Sequence, residues 1–329
     1  MLSSLRVGRR AAAAYLLVML AAGCSAAGTP SVGSAPGALN DNRILAAGHG
    51  TLSNASGPHG PGWISPDARR HHKRTLFYWG NYDTSTITIL SSSGTTKGTI
   101  TSGLYNPERL FVDKQGDVCA TNIGYNGSNK NSITCYKPGH TTPYITITAG
   151  VNRPTGLTVD AAGTIYCANV GNNTITVYPK GMTSPSLTIN YFAEYLATDA
   201  QDNLYAAGTA VEKFAPGSTT GKDTGLPHYP GALEVDKNGN IIVLYGANLE
   251  YFPAGQTSPS KTIPVTAGSP FALSLSGNEK TLYVSEESSI PFIVQSVAYP
   301  SGSTLVTTKF PSGTGDWPIA VSPDNALGG

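Results

Sequence analysis

From Thr75 onward the apolar positions come in short runs, each cut off by a cluster of Asp, Asn and Gly, and the runs recur in a fixed order. One register is an apolar stretch ending in an Asp-containing turn. It reads Leu110-Phe111-Val112-Asp113 before Lys114-Gln115-Gly116, Leu157-Thr158-Val159-Asp160 before Ala161-Ala162-Gly163, Leu196-Ala197-Thr198-Asp199 before Ala200-Gln201-Asp202, and Leu233-Glu234-Val235-Asp236 before Lys237-Asn238-Gly239. Weaker copies at Leu273-Ser274-Leu275-Ser276-Gly277-Asn278 and Ile319-Ala320-Val321-Ser322-Pro323-Asp324 bring the total to six. The Asp can bond its own backbone across the turn and Gly or Asn can take positive φ, so each copy predicts a strand running into a tight hairpin.

A second register follows each first one. An apolar strand (Thr164-Ile165-Tyr166-Cys167-Ala168, Asn203-Leu204-Tyr205-Ala206, Thr281-Leu282-Tyr283-Val284) leads to another that ends in an aromatic residue, proline and glycine. Those endings are Tyr136-Lys137-Pro138-Gly139, Tyr178-Pro179-Lys180-Gly181, Phe214-Ala215-Pro216-Gly217, Phe252-Pro253-Ala254-Gly255 and Tyr299-Pro300-Ser301-Gly302. Two nearly identical continuations, Thr183-Ser184-Pro185-Ser186-Leu187-Thr188-Ile189 and Thr257-Ser258-Pro259-Ser260-Lys261-Thr262-Ile263, supply a fourth strand. Four strands in about 36 to 48 residues make one propeller blade.

The repeat region starts out of phase. Leu76 to Trp79 reads as a second strand, Thr86 to Leu90 as a third and Lys97 to Thr101 as a fourth, while the last first-type strand is Ile319 to Ser322. One blade is therefore expected to combine strands from both ends, closing the ring and removing an open edge. The expected fold is all-β, a six-bladed β-propeller over residues 74–329.

These repeats resemble the NHL-repeat and virginiamycin B lyase-like propellers, a superfamily that shades into gluconolactonases. The resemblance covers residues 75 to 329 and implies architecture more than activity, because propellers host both enzymes and pure binding modules.

Composition agrees with many short strands and turns: 12% charged residues, Gly 38, Pro 23 and Tyr 17. The net charge of +1 offers no concentrated basic surface, so no nucleic-acid partner is expected. A monomer is expected.

Ahead of the repeats, Arg6, Arg9 and Arg10 precede an apolar run from Ala11 to Ala22, which with the small residues that follow has the layout of a secretory signal over residues 1–23. The run is shorter than the ~20 apolar residues of a membrane span. Leu20-Ala21-Ala22-Gly23-Cys24 resembles a bacterial lipobox, with Ala21 where Leu is commonest, and Cys24 is the expected lipidation site. The alternative is an ordinary signal peptide with Cys24 incidental. A lipid anchor would hold the protein to a bacterial membrane on the extracytoplasmic side, since several acyl chains bury many methylenes at ~0.8 kcal/mol each. Residues 24–73, rich in Gly, Ser, Ala, Pro and Asn, read as a disordered tether with a reach of about 40 Å. It ends in Arg69-Arg70-His71-His72-Lys73-Arg74, either a weak attraction to anionic polymers or a solvated junction.

In an oxidising compartment the remaining cysteines invite pairing. Cys119 and Cys135 flank a turn centred on Gly127 and face each other if the hairpin is symmetric, so a disulfide is expected, with Cys167 left over and buried.

In such a propeller the blade-joining loops and the second-to-third strand loops share one face. Candidates there are Asn81, Tyr82, Glu108, Arg109, Arg153, Asn169, Glu194, Tyr195, His228, Tyr229, Glu286, Asp316 and Trp317, with Phe271 nearby. Aromatic and amide groups around a concave mouth suit a sugar, peptide or protein ligand. Each could equally pin its own loop. The resemblance implies an alternative, a metal-dependent lactonase or lyase: the gluconolactonase type implies a divalent cation on oxygens such as those of Glu108, Glu194, Asn169 and Asp316, and the virginiamycin type a histidine base, for which His228 is the candidate on this face. No family motif matches these positions residue by residue. No nucleophile elbow, phosphate loop or Cys/His metal spacing occurs, so the catalytic residues stay unassigned, no metal ligand is named, and a binding module without cofactor is the leading expectation.

Overall fold

The computed structural model describes residues 76–91, 95–124, 130–226, 230–265, 270–286, 292–310 and 319–322, all within the compact unit Asn42–Gly329. The expected signal segment, the tether, Cys24, His228, Tyr229, Asp316 and Trp317 lie outside the described residues. The strands begin with β1 (Leu76–Asn81), β2 (Thr86–Ser91) and β3 (Thr96–Ile100). Blade 2 follows with β4 (Pro107–Val112), β5 (Val118–Asn122), β6 (Ser132–Tyr136) and β7 (Ile145–Ile147). Blade 3 has β8 (Pro154–Val159), β9 (Ile165–Asn169), β10 (Thr174–Tyr178) and β11 (Leu187–Ile189). Blade 4 has β12 (Ala193–Thr198), β13 (Leu204–Gly208), β14 (Val211–Phe214) and β15 (Lys222–Asp223). Blade 5 has β16 (Leu233–Val235), β17 (Ile241–Tyr245), β18 (Asn248–Phe252) and β19 (Lys261–Pro264). Blade 6 has β20 (Pro270–Leu275), β21 (Thr281–Glu286), β22 (Phe292–Ala298) and β23 (Thr304–Phe310), and the last strand is β24 (Ile319–Ser322).

These strands form six antiparallel four-stranded sheets, and β24 completes the first by pairing with β1. The register sets Phe77 opposite Val321 and Trp79 opposite Ile319. Innermost strands touch in the order β24, β4, β8, β12, β16, β20 and back to β24, which closes the ring of a six-bladed β-propeller.

The strand sequences look continuously apolar because both faces of every blade are covered. Successive side chains point to opposite faces. On β9, Ile165 and Cys167 enter the seam with blade 2, whereas Tyr166 and Ala168 enter the seam with blade 4. The core is accordingly six buried clusters, one in each seam. The closing seam contains Phe77, Trp79, Leu90, Ile319 and Val321 of blade 1 against Ala272 and Val294 of blade 6, with the Phe77 ring edge-on to Tyr283 at 4.9 Å.

The turns use the chemistry that the repeat carries. Oδ1 of Asp113, Asp160, Asp199 and Asp236 accepts the N–H four residues on, at 2.8, 2.8, 2.9 and 2.8 Å respectively. Ser276 takes this role in blade 6, its Oγ accepting from Lys280 and Thr281 N–H. Residues with positive φ follow in each turn; two are not glycine, Asp202 (60°) and Glu279 (51°). Their carboxylates reach across to the neighbouring blade's turn, accepting from Ala161 N at 3.3 Å and Lys237 N at 2.7 Å. The aromatic residue before each proline also spans a seam: the Tyr136 hydroxyl donates to Ser102 O and the Tyr178 hydroxyl to Ala149 O, both at 2.7 Å.

Cys119 and Cys135 lie directly opposite on β5 and β6, with Cα atoms 4.0 Å apart, and form a disulfide. Cys167 is free and buried.

Ending the chain before Trp317 removes β24, leaving β1 with an unpaired edge and uncovering the closing seam. Ile319 and Val321 are 4% and 0% exposed. Losing both forfeits about 3–6 kcal/mol, a large share of a typical 5–15 kcal/mol margin. The truncated protein should aggregate or melt far below the full chain in differential scanning calorimetry. Deletion of residues 25–70, read from the sequence as a tether, should leave the melting temperature within about 2 °C. A truncated chain that melts like the full one would contradict this role of β24.

Candidate functional site

The described ends of the blade-joining and second-to-third strand loops lie at one mouth of the central channel. At this mouth four inner strands carry a bulge in the same place. Pairing with the second strand skips Glu108 on β4, Thr155 on β8, Glu194 on β12 and Phe271 on β20. A bulge kinks the strand and re-aims the side chains beside it. Proline opens β4, β8 and β20, where a missing N–H costs least.

The re-aimed side chains meet over the channel. The guanidinium carbon of Arg109 lies 4.5 Å from the Tyr195 ring centroid and 4.2 Å from that of Phe271. Arg109, Tyr195 and Phe271 belong to blades 2, 4 and 6, so such contacts have to cross the channel. The arginine is held further by Nη1 donating to Glu108 O at 3.3 Å and by its own N–H on Thr121 Oγ1 at 3.0 Å. Each cation–π contact is worth about 0.5–1 kcal/mol when exposed and about 2 when desolvated. Beneath this stopper the channel, walled by all six inner strands, holds a cavity of about 50 Å³. That admits a few waters, whereas small-molecule sites run to about 300–1,000 Å³.

Glu194 stands at the same mouth and remains solvent-facing. Desolvation by the converging strands raises its carboxyl pKa, and the Arg109 charge works in the opposite direction.

The other candidates divide. Arg153 is exposed, with φ 48° and a carbonyl that accepts from Val170 N. Asn81 pins its own turn, its Oδ1 accepting from Thr84 N at 2.8 Å, and the Tyr82 carbonyl accepts from Asn106 Nδ2 at 2.9 Å. Glu286 ends β21 opposite Pro270. Asn169 is not presented to a ligand. It is 1% exposed; its Oδ1 accepts from Asn152 N at 2.9 Å and its Nδ2 donates to Thr176 Oγ1 at 3.0 Å. Asn122 does the same in blade 2, holding Tyr105 N at 2.9 Å. A repeated Asn at the end of the second strand is therefore a loop clamp, for which the unpaired loop N–H is the physical reason. Sequence reasoning passed over two exposed aromatics on this face, Tyr105 (38% exposed, with Lys130 Nζ 4.1 Å from its ring) and Tyr245 (41%). Their position in the repeat was the available signal.

The described donors do not assemble a cation site. Among the described residues no three His, Cys, Asp or Glu side chains group to hold a metal. The Asn169 amide is committed to its loop, and Arg109 already sets a positive charge in the mouth.

No protein-family model matches the chain, and no curated protein does. Solved structures do. One, described as the crystal structure of a nidogen/laminin complex, aligns with a TM-score of 0.59 at 19% identity, covering 75% of this chain and 98% of that one. The likeness is one of fold.

Arg109→Met should remove both ring contacts and the charge beside Glu194. Protonated Glu194 favours the folded state, because its folded pKa exceeds the usual 4.5, and that contribution fades as pH rises through the folded pKa. Carboxyl ¹³C titration should place the Glu194 pKa above 4.5 in the native protein. It should lie higher still in Arg109→Met, with a stability loss of about 1–3 kcal/mol. An unchanged Glu194 titration in that variant would show that Arg109 is not at the mouth.

Proposed function

We propose that this protein is an extracytoplasmic, membrane-anchored binding module that holds a protein or peptide partner across the loop face of its propeller. The observation carrying this reading is the stoppered channel. With Arg109 between Tyr195 and Phe271 and a cavity of only about 50 Å³ below, recognition falls to the rim rather than the interior. The rim offers Tyr105, Tyr245 and Arg153, and Tyr and Arg are the side chains that dominate protein-binding hot spots. The neighbouring solved structure is a protein complex, which agrees with this use of the fold. The repeat register supports a kinship with the NHL and virginiamycin B lyase-like propellers, and the Leu20–Cys24 segment supports a diacylated anchor. A metal-dependent lactonase or lyase finds less support, since a guanidinium in the mouth would repel a divalent cation there.

Two experiments test the proposal. A photo-crosslinking amino acid placed at Tyr105 or Tyr245 in the full-length protein in its native envelope should give discrete protein adducts. The same residue at Met182, 54% exposed in the turn between β10 and β11 on the opposite face, should not. Equal adducts from position 182, or none from 105 and 245, would overturn the assignment of the face; adducts removed by glycosidase would replace the protein partner with a polysaccharide. Cys24→Ala should move the protein from the detergent-extracted membrane fraction to soluble or unprocessed forms. Unchanged partitioning would end the anchor proposal without touching the binding face.

A further inference from the structure

Equivalent positions in successive blades fill the same slot of the seam, next to the turn aspartate, in different ways. The slot is framed by the second residue of the second strand and its partner on the third. In blade 2 that pair is Cys119 and Cys135, and the disulfide fills it. In blade 5 it is Ile242 and Tyr251; Tyr251 stacks on Tyr299 of blade 6 at 5.7 Å, and the Tyr299 hydroxyl donates to Asp236.

Blade 4 fills the slot with a cation. Tyr205 pairs with Lys213, whose Nζ lies 3.1 Å from Asp199 Oδ2 and 5.0 Å from the Tyr205 ring centroid. The Tyr205 hydroxyl donates to the same carboxylate oxygen at 3.3 Å. Asp199 also accepts from Gln201 N, from Asn203 N and from Asn203 Nδ2 at both oxygens, so its lone pairs are fully used.

Blade 3 keeps the anion and the ring but lacks the cation. Asp160 corresponds to Asp199 and Tyr166 to Tyr205, and the Tyr166 hydroxyl donates to Asp160 Oδ2 at 3.1 Å. The residue opposite Tyr166 is Val177 in place of lysine. Asp160 is 6% exposed and accepts two bonds, from Thr164 N and Tyr166, where Asp199 accepts six. Beside it opens a cavity of about 440 Å³ with an apolar wall that includes Leu187, Ile189 and Phe214 and with no Lys or Arg in its lining. The stem of Lys180 lies over Gly163 of the turn that Asp160 itself closes, and among the described residues Lys180 makes no ion pair with Asp160.

We infer that the seam between blades 3 and 4 is a binding site for a small alkylammonium ligand. Its ammonium takes the place, on Asp160 and the Tyr166 ring, that Lys213 Nζ takes on Asp199 and Tyr205. Its hydrocarbon body lies against Val177, Leu187 and Phe214. A buried carboxylate gains most from a donor that is charged, and a desolvated ring face adds a cation–π contact. The cavity is of ordinary small-molecule size, unlike the central channel. The site lies away from the loop face and does not rest on the function proposed for that face.

The test is calorimetric and NMR titration of the full propeller with n-hexylammonium, with n-hexanol as the uncharged control and Nα-acetyl-lysine amide as the second ammonium source. Hexylammonium should bind at least ten-fold more tightly than hexanol and shift the Tyr166 ring resonances. A tighter acetyl-lysine amide would identify the natural ligand as a lysine side chain, and a weaker one as a free amine. Val177→Lys supplies the ammonium internally, so this variant should melt at or above the temperature of the native protein and lose hexylammonium binding. Asp160→Asn, which keeps an acceptor for Thr164 N, should weaken binding at least ten-fold while remaining folded. Equal binding of hexanol and hexylammonium, no saturable binding, or unchanged binding in folded Val177→Lys would each overturn the inference.

Discussion

Every buried surface in this fold depends on pairing between the two ends of the repeat region. A single four-stranded blade has two apolar faces and cannot cover either alone; it is stable only between two neighbours. In an open row the terminal blades would each expose a face and an unpaired edge. Joining β24 to β1 removes both defects, because Phe77 and Val321 pair in the ladder and pack into the seam with blade 6. The backbone hydrogen bonds and the apolar contacts at the closure are thus formed together, and neither can be kept without the other.

Closure has a geometric consequence for the centre. Six inner strands converge on one axis with one edge each unpaired, and the hole they leave must be hydrated or filled. The bulges at Glu108, Glu194 and Phe271 turn side chains across the mouth instead of along the seams, and Arg109 bridges the aromatic rings from alternate blades. A guanidinium suits this position because its flat face stacks on two rings while Nη1 donates to the Glu108 carbonyl.

The strand order, the six-blade count and the split first blade were legible from the repeat because the same physics recurs from unit to unit: an Asp, or Ser276 in blade 6, closes the turn, a positive-φ residue follows, and an aromatic residue near the proline spans the seam. Asp202 and Glu279 depart from the glycine pattern, and the structure supplies the reason, a carboxylate bond to the preceding blade that offsets a strained backbone. Less of the site was legible. Asn169 and Arg109 are both polar residues at predicted loop ends, yet one is consumed by a loop N–H and the other crosses the channel. Their difference lies in the bulge, which shifts side-chain direction by one residue and leaves no mark in composition.

Repeat proteins make this division useful. Where all units share a residue, the shared backbone requirement explains it and no further role is needed. Where one unit differs, its neighbours provide an internal reference in which the same backbone atoms surround another side chain. Asp199 with Lys213 is such a reference for Asp160 with Val177. Asp160 makes the turn bond that the other turn aspartates make, and with Val177 opposite Tyr166 it lacks the ammonium that Lys213 sets on Asp199. The Thr164 N–H and the Tyr166 hydroxyl offset part of the cost of burying it, and an ammonium entering the seam would offset more.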